Sequence, residues 1–268
     1  ATPQARTAFD TALFVTQVLP TVSIKPQDWF TPAPTRLETV YELTNGEGLA
    51  DLYLPSGDGE HPAVLLFLGV NPAGRNDLRV VGLAEGLARA GVAVMIPWSD
   101  SMKQRRVDVT EIGNLVQAFE HLRNLDAVDP NRMGMGGFCV GASLATVAAQ
   151  DDRIRDDVRF VNFFGGYYNV IDLIKAVVTQ RRYDGDSSTP WMPDNLAVEV
   201  VRTQLIESVQ DRAERRFLIE VFLEGRQPAL GSLDTLSPLA KNVFQLLDSP
   251  DLEEADNLLM QLPEEVLQ

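Results

Sequence analysis

A single cysteine lies between two glycines in the segment Gly137-Phe138-Cys139-Val140-Gly141. An apolar run precedes this segment and an alanine-rich stretch follows it, which predicts a strand, a sharp turn and a helix. Gly141 lets the new helix pack close to the strand. The turn would present Cys139 at a helix N-terminus, where unpaired N–H groups and the helix dipole favour a thiolate. The segment therefore predicts a nucleophilic cysteine, with a buried and inert cysteine as the alternative.

This segment resembles the nucleophile elbow of the α/β-hydrolase fold, and its Gly-x-Cys-x-Gly pattern is most similar to that of the dienelactone hydrolase family. The resemblance implies that Cys139 attacks an ester or lactone carbonyl and that two backbone N–H groups stabilise the resulting oxyanion. It assigns one of these groups to Val140, and we choose Val70 for the other. The turn Gly69-Val70-Asn71 is also similar to the corresponding loop of that family. The family's acidic residue just ahead of that turn has no counterpart here.

The fold implies the order nucleophile, acid, histidine along the chain, but no histidine follows Cys139. His61 precedes a predicted strand, so we expect it at the opposite, amino end of the sheet. His121 falls about 160° from the centre of its helix's apolar stripe, so we expect it to face water. We expect neither histidine to act as the catalytic base.

Two explanations for the missing base stay open. The chain is expected to be incomplete, because it ends where a sheet of this fold would return from a lid to its last strands, which would carry the acid and the histidine. The ending, residues 262–268, reads like the middle of a lid helix. Alternatively, the chain is whole and the elbow is vestigial or serves binding only.

Other charged residues near the predicted cleft offer no substitute for the histidine. We expect three acidic residues to be solvated or to cap helices: Asp100, Asp184 and Asp186. Three arginines would be able to hold a substrate carboxylate if they turned inward, but solvated surface positions are expected for them: Arg75, Arg105 and Arg106.

The elements around the elbow alternate between apolar strands and amphipathic helices. Strands are predicted at 36–43, 49–54, 63–68, 92–96, ahead of the elbow and at 160–164, with a hairpin turn at Asn45-Gly46. Helices are predicted at 7–19, closed by Pro20, around 80–87 and at 108–125. This alternation predicts an α/β fold, namely a doubly wound, mostly parallel sheet covered on both faces. The Gly69 loop, Cys139 and the Gly165 loop should meet at the carboxyl ends of the strands, where such sheets bind ligands.

From Asn169 onward the sequence shows helical patterns and no further convincing strand. Helices are predicted at 196–209, 212–223 and 236–247, and a last one is predicted to open at Ser249-Pro250. We therefore predict three parts, which are an N-terminal helix and irregular arm (1–35), an α/β-hydrolase core (36–168) and a helical lid (169–268). The lid assignment rests on its position in the fold. The substrate pocket is predicted to include Gly69, Asn71, Gly166, Tyr167, Tyr168 and Trp191.

Composition limits the partners of the chain. A formal net charge of −15 over 268 residues argues against nucleic acid and anionic membranes. One cysteine excludes an intrachain disulfide, and with two histidines it leaves no plausible zinc cluster. No apolar stretch approaches the roughly 18 residues that a membrane span requires. The compartment stays open.

The function predicted from these patterns is hydrolysis of a small-molecule carboxylic ester or lactone through a thioester at Cys139, without cofactor or metal. The alternative from another class is a catalytically inactive scaffold with the same fold, whose cleft binds a small apolar molecule.

Overall fold

The computed structural model describes residues 3–19, 22, 24–185, 187–229, 231–248 and 251–263. The chain divides into two compact units, one formed by Ala1–Gln104 and Asp108–Gly166 and the other by Arg105–Val107 and Tyr167–Gln268. Several positions named in the sequence analysis lie outside the described residues: Pro20, Asp186, Ser249, Pro250 and residues 264–268.

The first unit alternates strands and helices. It begins with the helices α1 (Pro3–Val18) and α2 (Gln27–Phe30). The remaining elements follow in the order β1 (Thr35–Leu43), β2 (Gly46–Leu54), β3 (His61–Phe67), α3 (Leu78–Arg89), β4 (Ala93–Trp98), α4 (Asp100–Lys103), α5 (Glu111–Arg123), β5 (Val128–Phe138), α6 (Val140–Ala148) and β6 (Val158–Phe164). The predicted strands and the predicted hairpin are confirmed, but the two turn residues are Thr44 and Asn45, and Gly46 already pairs with Leu43 as the first residue of β2.

The strands of this unit form a six-stranded sheet in the order β1-β2-β4-β3-β5-β6. β2 runs antiparallel to both β1 and β4, whereas β4, β3, β5 and β6 are mutually parallel. Parallel neighbours require crossover connections, and α3, α5 and α6 lie in those connections. This mixed, mostly parallel sheet is the α/β-hydrolase-type arrangement that the sequence predicts.

The core lies on both faces of the central strands. Val64 and Leu66 pack with residues of α3 on one face. The intervening Leu65 points to the opposite face, where α5 and α6 contact β3.

The expected cover on both faces is wrong for β6, in which Phe160, Val161, Phe163 and Phe164 are 41–65% exposed. The reason is that β6 lies at the edge of the sheet, where α6 packs on it, whereas the main contacts of α3 and α5 are with other strands.

The second unit contains α7 (Val170–Thr179), β7 (Arg181–Asp184), β8 (Ser187–Pro190), α8 (Asn195–Glu207), α9 (Arg212–Phe222), α10 (Pro238–Leu247) and α11 (Leu252–Leu259). Its helices bury an apolar core of their own that includes Leu205, Leu218, Val243 and Leu246. The expectation of no strand after Asn169 is wrong, because β7 and β8 form an antiparallel hairpin. These strands are only four residues long and carry polar and charged residues, so their sequence lacks an apolar strand pattern. The lid role of this unit stays a prediction.

Among the described residues, no helix combines the length and the apolar character that crossing a bilayer requires.

Candidate active site

Cys139 occupies the turn between β5, which ends at Phe138, and α6, which begins at Val140. Its backbone adopts φ 54° and ψ −138°, a conformation that residues with a side chain rarely adopt. Two backbone hydrogen bonds hold it there, since its N–H donates to the Phe164 carbonyl (3.0 Å) and its carbonyl accepts from the Ala142 N–H (3.0 Å). The thiol is exposed. The strand end and the first helical turn thus present the sulfur to solvent.

The glycines on either side of this turn allow close approaches between backbones. A Cβ atom at Gly141 would lie 2.4 Å from the Gly69 nitrogen and 2.5 Å from the Phe67 carbonyl oxygen. A Cβ atom at Gly137 would lie 2.5 Å from the carbonyl carbon of Gly141. Real Cβ atoms do not approach backbone this closely, so Gly141 is required where α6 packs on the end of β3, and Gly137 is required where α6 packs on its own preceding strand.

The same contacts bring the loop after β3 against the elbow. Gly69 has φ 68°, and a Cβ atom there would lie 2.7 Å from the Gly141 nitrogen and 2.8 Å from the Phe138 carbonyl oxygen. Val70 follows directly and is buried, as is Val140 at the first position of α6. Within the described residues neither Val70 N–H nor Val140 N–H donates to a protein acceptor. Both groups assigned to the oxyanion hole are therefore available as donors beside the elbow.

A cavity of ≈160 Å³ opens beside this loop at the carboxyl ends of β3 and β4. The predicted pocket residues Gly69 and Asn71 line it, together with Arg75, Trp98 and Lys103. The described residues of the first unit thus provide a small cleft of mixed polarity next to the predicted oxyanion hole.

The other predicted pocket residues are found in different surroundings. Gly166 packs against β6 and α6, since a Cβ atom there would lie 2.5 Å from the Phe163 ring and 2.9 Å from the Ser143 hydroxyl. Tyr167 is half-buried and Tyr168 is fully exposed. Trp191 is partly buried against the apolar core of the second unit. Tyr167, Tyr168 and Trp191 all belong to the second unit.

Both histidines of the sequence lie away from the elbow. His61 is the first residue of β3, about 20 Å along the strand from Phe67. His121 lies on α5 and its Nε2 is 3.1 Å from the Thr39 hydroxyl of β1, an edge strand roughly 19 Å across the sheet from β5.

The expectation that His121 faces water is wrong. The ring is partly buried and lies 6.0 Å from the Tyr41 ring, because α5 packs on β1 as well as on the central strands. Burial holds the pKa of His121 below its usual value.

The expectation that Arg75 is solvated is wrong, because its partly buried side chain belongs to an ion cluster around the buried carboxylate of Asp51. Its Nη2 donates to Asp51 (2.7 Å) and its Nη1 to Glu38 (2.6 Å). Asp51 is 1% exposed and also accepts hydrogen bonds from Arg36 (3.0 Å) and from the Trp98 indole (2.7 Å). Burial alone raises the pKa of Asp51, but these hydrogen bonds outweigh it and hold that pKa below its usual value.

Asp51 is not among the residues predicted from the sequence to belong to the site. The signal that identifies it is an aspartate within the otherwise apolar strand Leu49-Ala-Asp-Leu-Tyr-Leu54. Such a residue is either at a solvated edge or in need of buried partners.

The remaining charged candidates differ in their surroundings. Asp100 is exposed in the first turn of α4 and lines the cavity beside Gly69, whereas Asp184 is exposed at the end of β7. Arg105 pairs with Glu199 (2.7 Å) and Arg106 with Glu207 (2.8 Å), all within the second unit.

Comparisons with known proteins give likenesses of structure only. No family model matches the chain, and no curated protein sequence shows significant similarity to it. An acylaminoacyl peptidase from Pyrococcus horikoshii is 14% identical with a TM-score of 0.45, covering 57% of this chain and 27% of that one. A dienelactone hydrolase-like promiscuous phosphotriesterase from metagenomic libraries is 18% identical with a TM-score of 0.38, covering 44% of this chain and 54% of that one.

An esterase from Pyrobaculum calidifontis is 16% identical with a TM-score of 0.42, covering 90% of this chain and 69% of that one. Of the Pyrococcus horikoshii peptidase, this chain spans only about a quarter of the length. The fold itself is given by the strand order and directions, which are those of an α/β-hydrolase-type sheet.

Proposed function

We propose that this chain hydrolyses a small carboxylic ester or lactone through a thioester at Cys139. The observation that carries the proposal is an exposed thiol on a turn with φ 54° and ψ −138°, directly before a helix N-terminus. The thiolate is the nucleophilic form of cysteine, and an exposed position at a turn makes it accessible to a substrate carbonyl. The packing of Gly69 against Gly141 supports the proposal further, because it brings the Val70 loop to the elbow.

The reaction would proceed in two steps. The thiolate adds to the carbonyl carbon, the ester C–O bond breaks, and the leaving alkoxide takes a proton from water. Water then attacks the thioester carbonyl, releasing the carboxylic acid and restoring the thiol. In both steps Val70 N–H and Val140 N–H would stabilise the oxyanion of the tetrahedral intermediate. Because neither histidine lies near Cys139, we expect the second step to be slow and the acylated protein to accumulate.

The experiment is acylation of the purified protein with a short-chain nitrophenyl ester. We expect a burst of nitrophenolate equal to the protein concentration, with mass spectrometry locating the acyl group on Cys139. Cys139→Ala should abolish the burst. A matched measurement is alkylation by iodoacetamide, which should label Cys139 faster than free cysteine near pH 7.

A second candidate function is a binding scaffold without catalysis. The position of both histidines far from the elbow favours it, because a nucleophile without a base turns over poorly. In that case the cleft beside Gly69 would hold a small molecule and Cys139 would take no part. Absence of any burst, together with labelling no faster than free cysteine, would exclude the hydrolase and leave the scaffold.

A further inference from the structure

An ion cluster around the buried carboxylate of Asp51 connects the hairpin of β1 and β2 to the loop after β3. Asp51 lies on β2 and is 1% exposed, and the loop of residues 69–77 carries both Val70 and Arg75. We propose that Asp51 is a positioning residue of the oxyanion hole, because it fixes the loop that presents Val70 N–H. This inference rests on the proposed function, since it concerns the same site.

The first connection runs through the side chain of Arg75. Its Nη2 donates to one carboxylate oxygen of Asp51 (2.7 Å) and its Nε to the other (3.2 Å). This two-point geometry fixes the plane of the guanidinium as well as its distance. Nη1 reaches Glu38 on β1 (2.6 Å), so both strands of the hairpin hold the same loop side chain.

The second connection runs through the loop backbone. Arg36 donates to Asp51 from Nε (3.2 Å) and from Nη2 (3.0 Å), and the same Nη2 donates to the Arg75 carbonyl (3.1 Å). It also donates to the Asn76 side-chain oxygen (3.1 Å). Asp51 thus orients the Arg36 side chain, which binds the loop at residues 75 and 76.

Hydrogen bonds within the loop extend this restraint to Val70. The Gly74 N–H donates to the Asn71 carbonyl (3.1 Å), and the Asn71 side chain donates to the Gly74 carbonyl (3.3 Å). Asn71 is the neighbour of Val70, and Gly69 on its other side packs against Gly141. Val70 is therefore held between the elbow and a turn that the ion cluster anchors.

The position of the ion cluster indicates that its role is more than structural. The buried Asp51 carboxylate requires partners, because an unpaired buried charge is costly, but stability alone does not require that those partners come from this loop. Here both Arg75 and Trp98, which donate to Asp51, line the cavity next to Gly69. An oxyanion hole works by holding its donors in place before the charge develops, so a fixed loop is what catalysis requires.

The direct test is amide hydrogen exchange of residues 69–77 in variants that release the loop. Arg75→Gln removes the fork on Asp51, and Asp51→Asn removes the charge that orients both arginines. We expect exchange of the hydrogen-bonded Gly74 and Asp77 amides to accelerate at least about tenfold in each variant, while the amides of β3 and β4 keep their protection. Arg75 is 29% exposed, so Arg75→Gln keeps the test decisive if Asp51→Asn does not fold.

The matched control is Arg79→Gln. Arg79 pairs with Asp77 at the end of the same loop (2.6 Å) but is 81% exposed and makes no contact with Asp51. Its loss should leave exchange of residues 69–77 unchanged. Wild-type exchange in Arg75→Gln would overturn the proposal.

A second measurement distinguishes a loss of loop positioning from a general disruption of the site around Cys139. Acylation of Cys139 by the nitrophenyl ester should slow at least about tenfold in Arg75→Gln, because that reaction builds an oxyanion at the Val70 N–H. Alkylation by iodoacetamide should keep its wild-type rate, because substitution at its saturated carbon builds no oxyanion. An equal loss of both reactions would overturn the proposal. If the wild-type protein shows no acylation, the proposed function fails, and the exchange measurement still decides whether Asp51 positions the loop.

Discussion

Cys139 combines an unfavourable backbone conformation with an exposed reactive atom. A side chain at φ 54° and ψ −138° has few precedents outside functional turns, because only glycine adopts this region without strain. The hydrogen bonds to Phe164 and Ala142, together with the backbone contacts at Gly141, hold the residue in this conformation. The strain at this residue can be measured by substitution.

We expect Cys139→Gly to be more stable than Cys139→Ala by about 1 kcal/mol in the free energy of unfolding. Both substitutions remove the thiol, but alanine keeps the Cβ atom that opposes a positive φ. The glycine chain loses more entropy on folding, and this reduces the difference without reversing it. Urea unfolding of the two variants measures it. Equal stability, or a more stable alanine variant, would contradict a strained turn.

A second prediction concerns the contact between the elbow and the oxyanion loop. Gly141→Ala would place a Cβ atom 2.4 Å from the Gly69 nitrogen. That neighbour is backbone and cannot rotate away, so we expect a loss of about 2 kcal/mol or more in the free energy of unfolding.

The matched control for this substitution is Gly82→Ala in the middle of α3. A Cβ atom at Gly82 would have no neighbour within 4 Å. Removing a glycine from a helix interior should raise the free energy of unfolding by up to about 1 kcal/mol. Urea midpoints for the two variants should therefore move in opposite directions. A Gly141→Ala protein as stable as the wild type would mean that the loop lies further from the elbow.

At the scale of elements, the sequence predicted the sheet well because its central strands are nearly continuous apolar runs. The segments 63–68 and 92–96 became β3 and β4 within two residues at each end. The glycines around Cys139 located the elbow for a related reason, since a tight turn between packed elements tolerates few other residues. Periodicity and turn chemistry are local properties, and these predictions needed nothing else.

Predictions that depended on distant neighbours failed. The helical periodicity of α5 placed His121 opposite the apolar stripe. The helix also contacts the edge strand β1, however, where the Thr39 hydroxyl lies 3.1 Å from the His121 Nε2 atom. Nothing in the sequence around Arg75 indicates that it pairs with Asp51, which lies 24 positions earlier. The hairpin of β7 and β8 is polar and short. Tertiary contacts decide such cases, and a single sequence does not reveal them.

The partial burial of His121 predicts a pH dependence of stability. Burial holds the pKa of His121 below its unfolded-state value of 6.5, so the unfolded chain binds the proton first as the pH falls. The free energy of unfolding should therefore fall as the pH drops through 6.5 toward the folded-state pKa, and this loss should be complete below it. His121→Gln should flatten the curve in this window, as measured by urea unfolding at successive pH values.

His61→Gln is the control for this measurement, because it removes the only other imidazole of the sequence from the far end of β3. We expect the His61 variant to keep the pH dependence of the wild type. A slope in this window that persists in His121→Gln would show that other groups cause it.

At the scale of the whole molecule, strong negative charge coexists with an apolar sheet edge. The formal net charge of −15 should keep copies of the chain apart. β6 is different, because the segment Val158-Arg-Phe-Val-Asn-Phe-Phe164 has no carboxylate and exposes three phenylalanines. Open strand edges of this kind pair with other strands unless charge, proline or a covering element blocks them. Within the described residues β6 forms sheet pairing with β5 alone, at the end of the strand order.

We expect this edge to cause concentration-dependent self-association, which Phe164→Lys should weaken. Phe164 is 65% exposed at the end of β6, and a lysine on a strand edge opposes pairing with another strand. The control is Leu78→Lys, which makes the same change of charge at a residue that is 86% exposed on α3, away from the sheet edge. Light scattering over a concentration series, at matched ionic strength, should give a lower average mass for the β6 variant than for the wild type. The α3 variant should scatter like the wild type. If both lysine variants reduce association equally, net charge rather than the strand edge controls it, and if the wild-type protein is monomeric throughout, the edge does not pair.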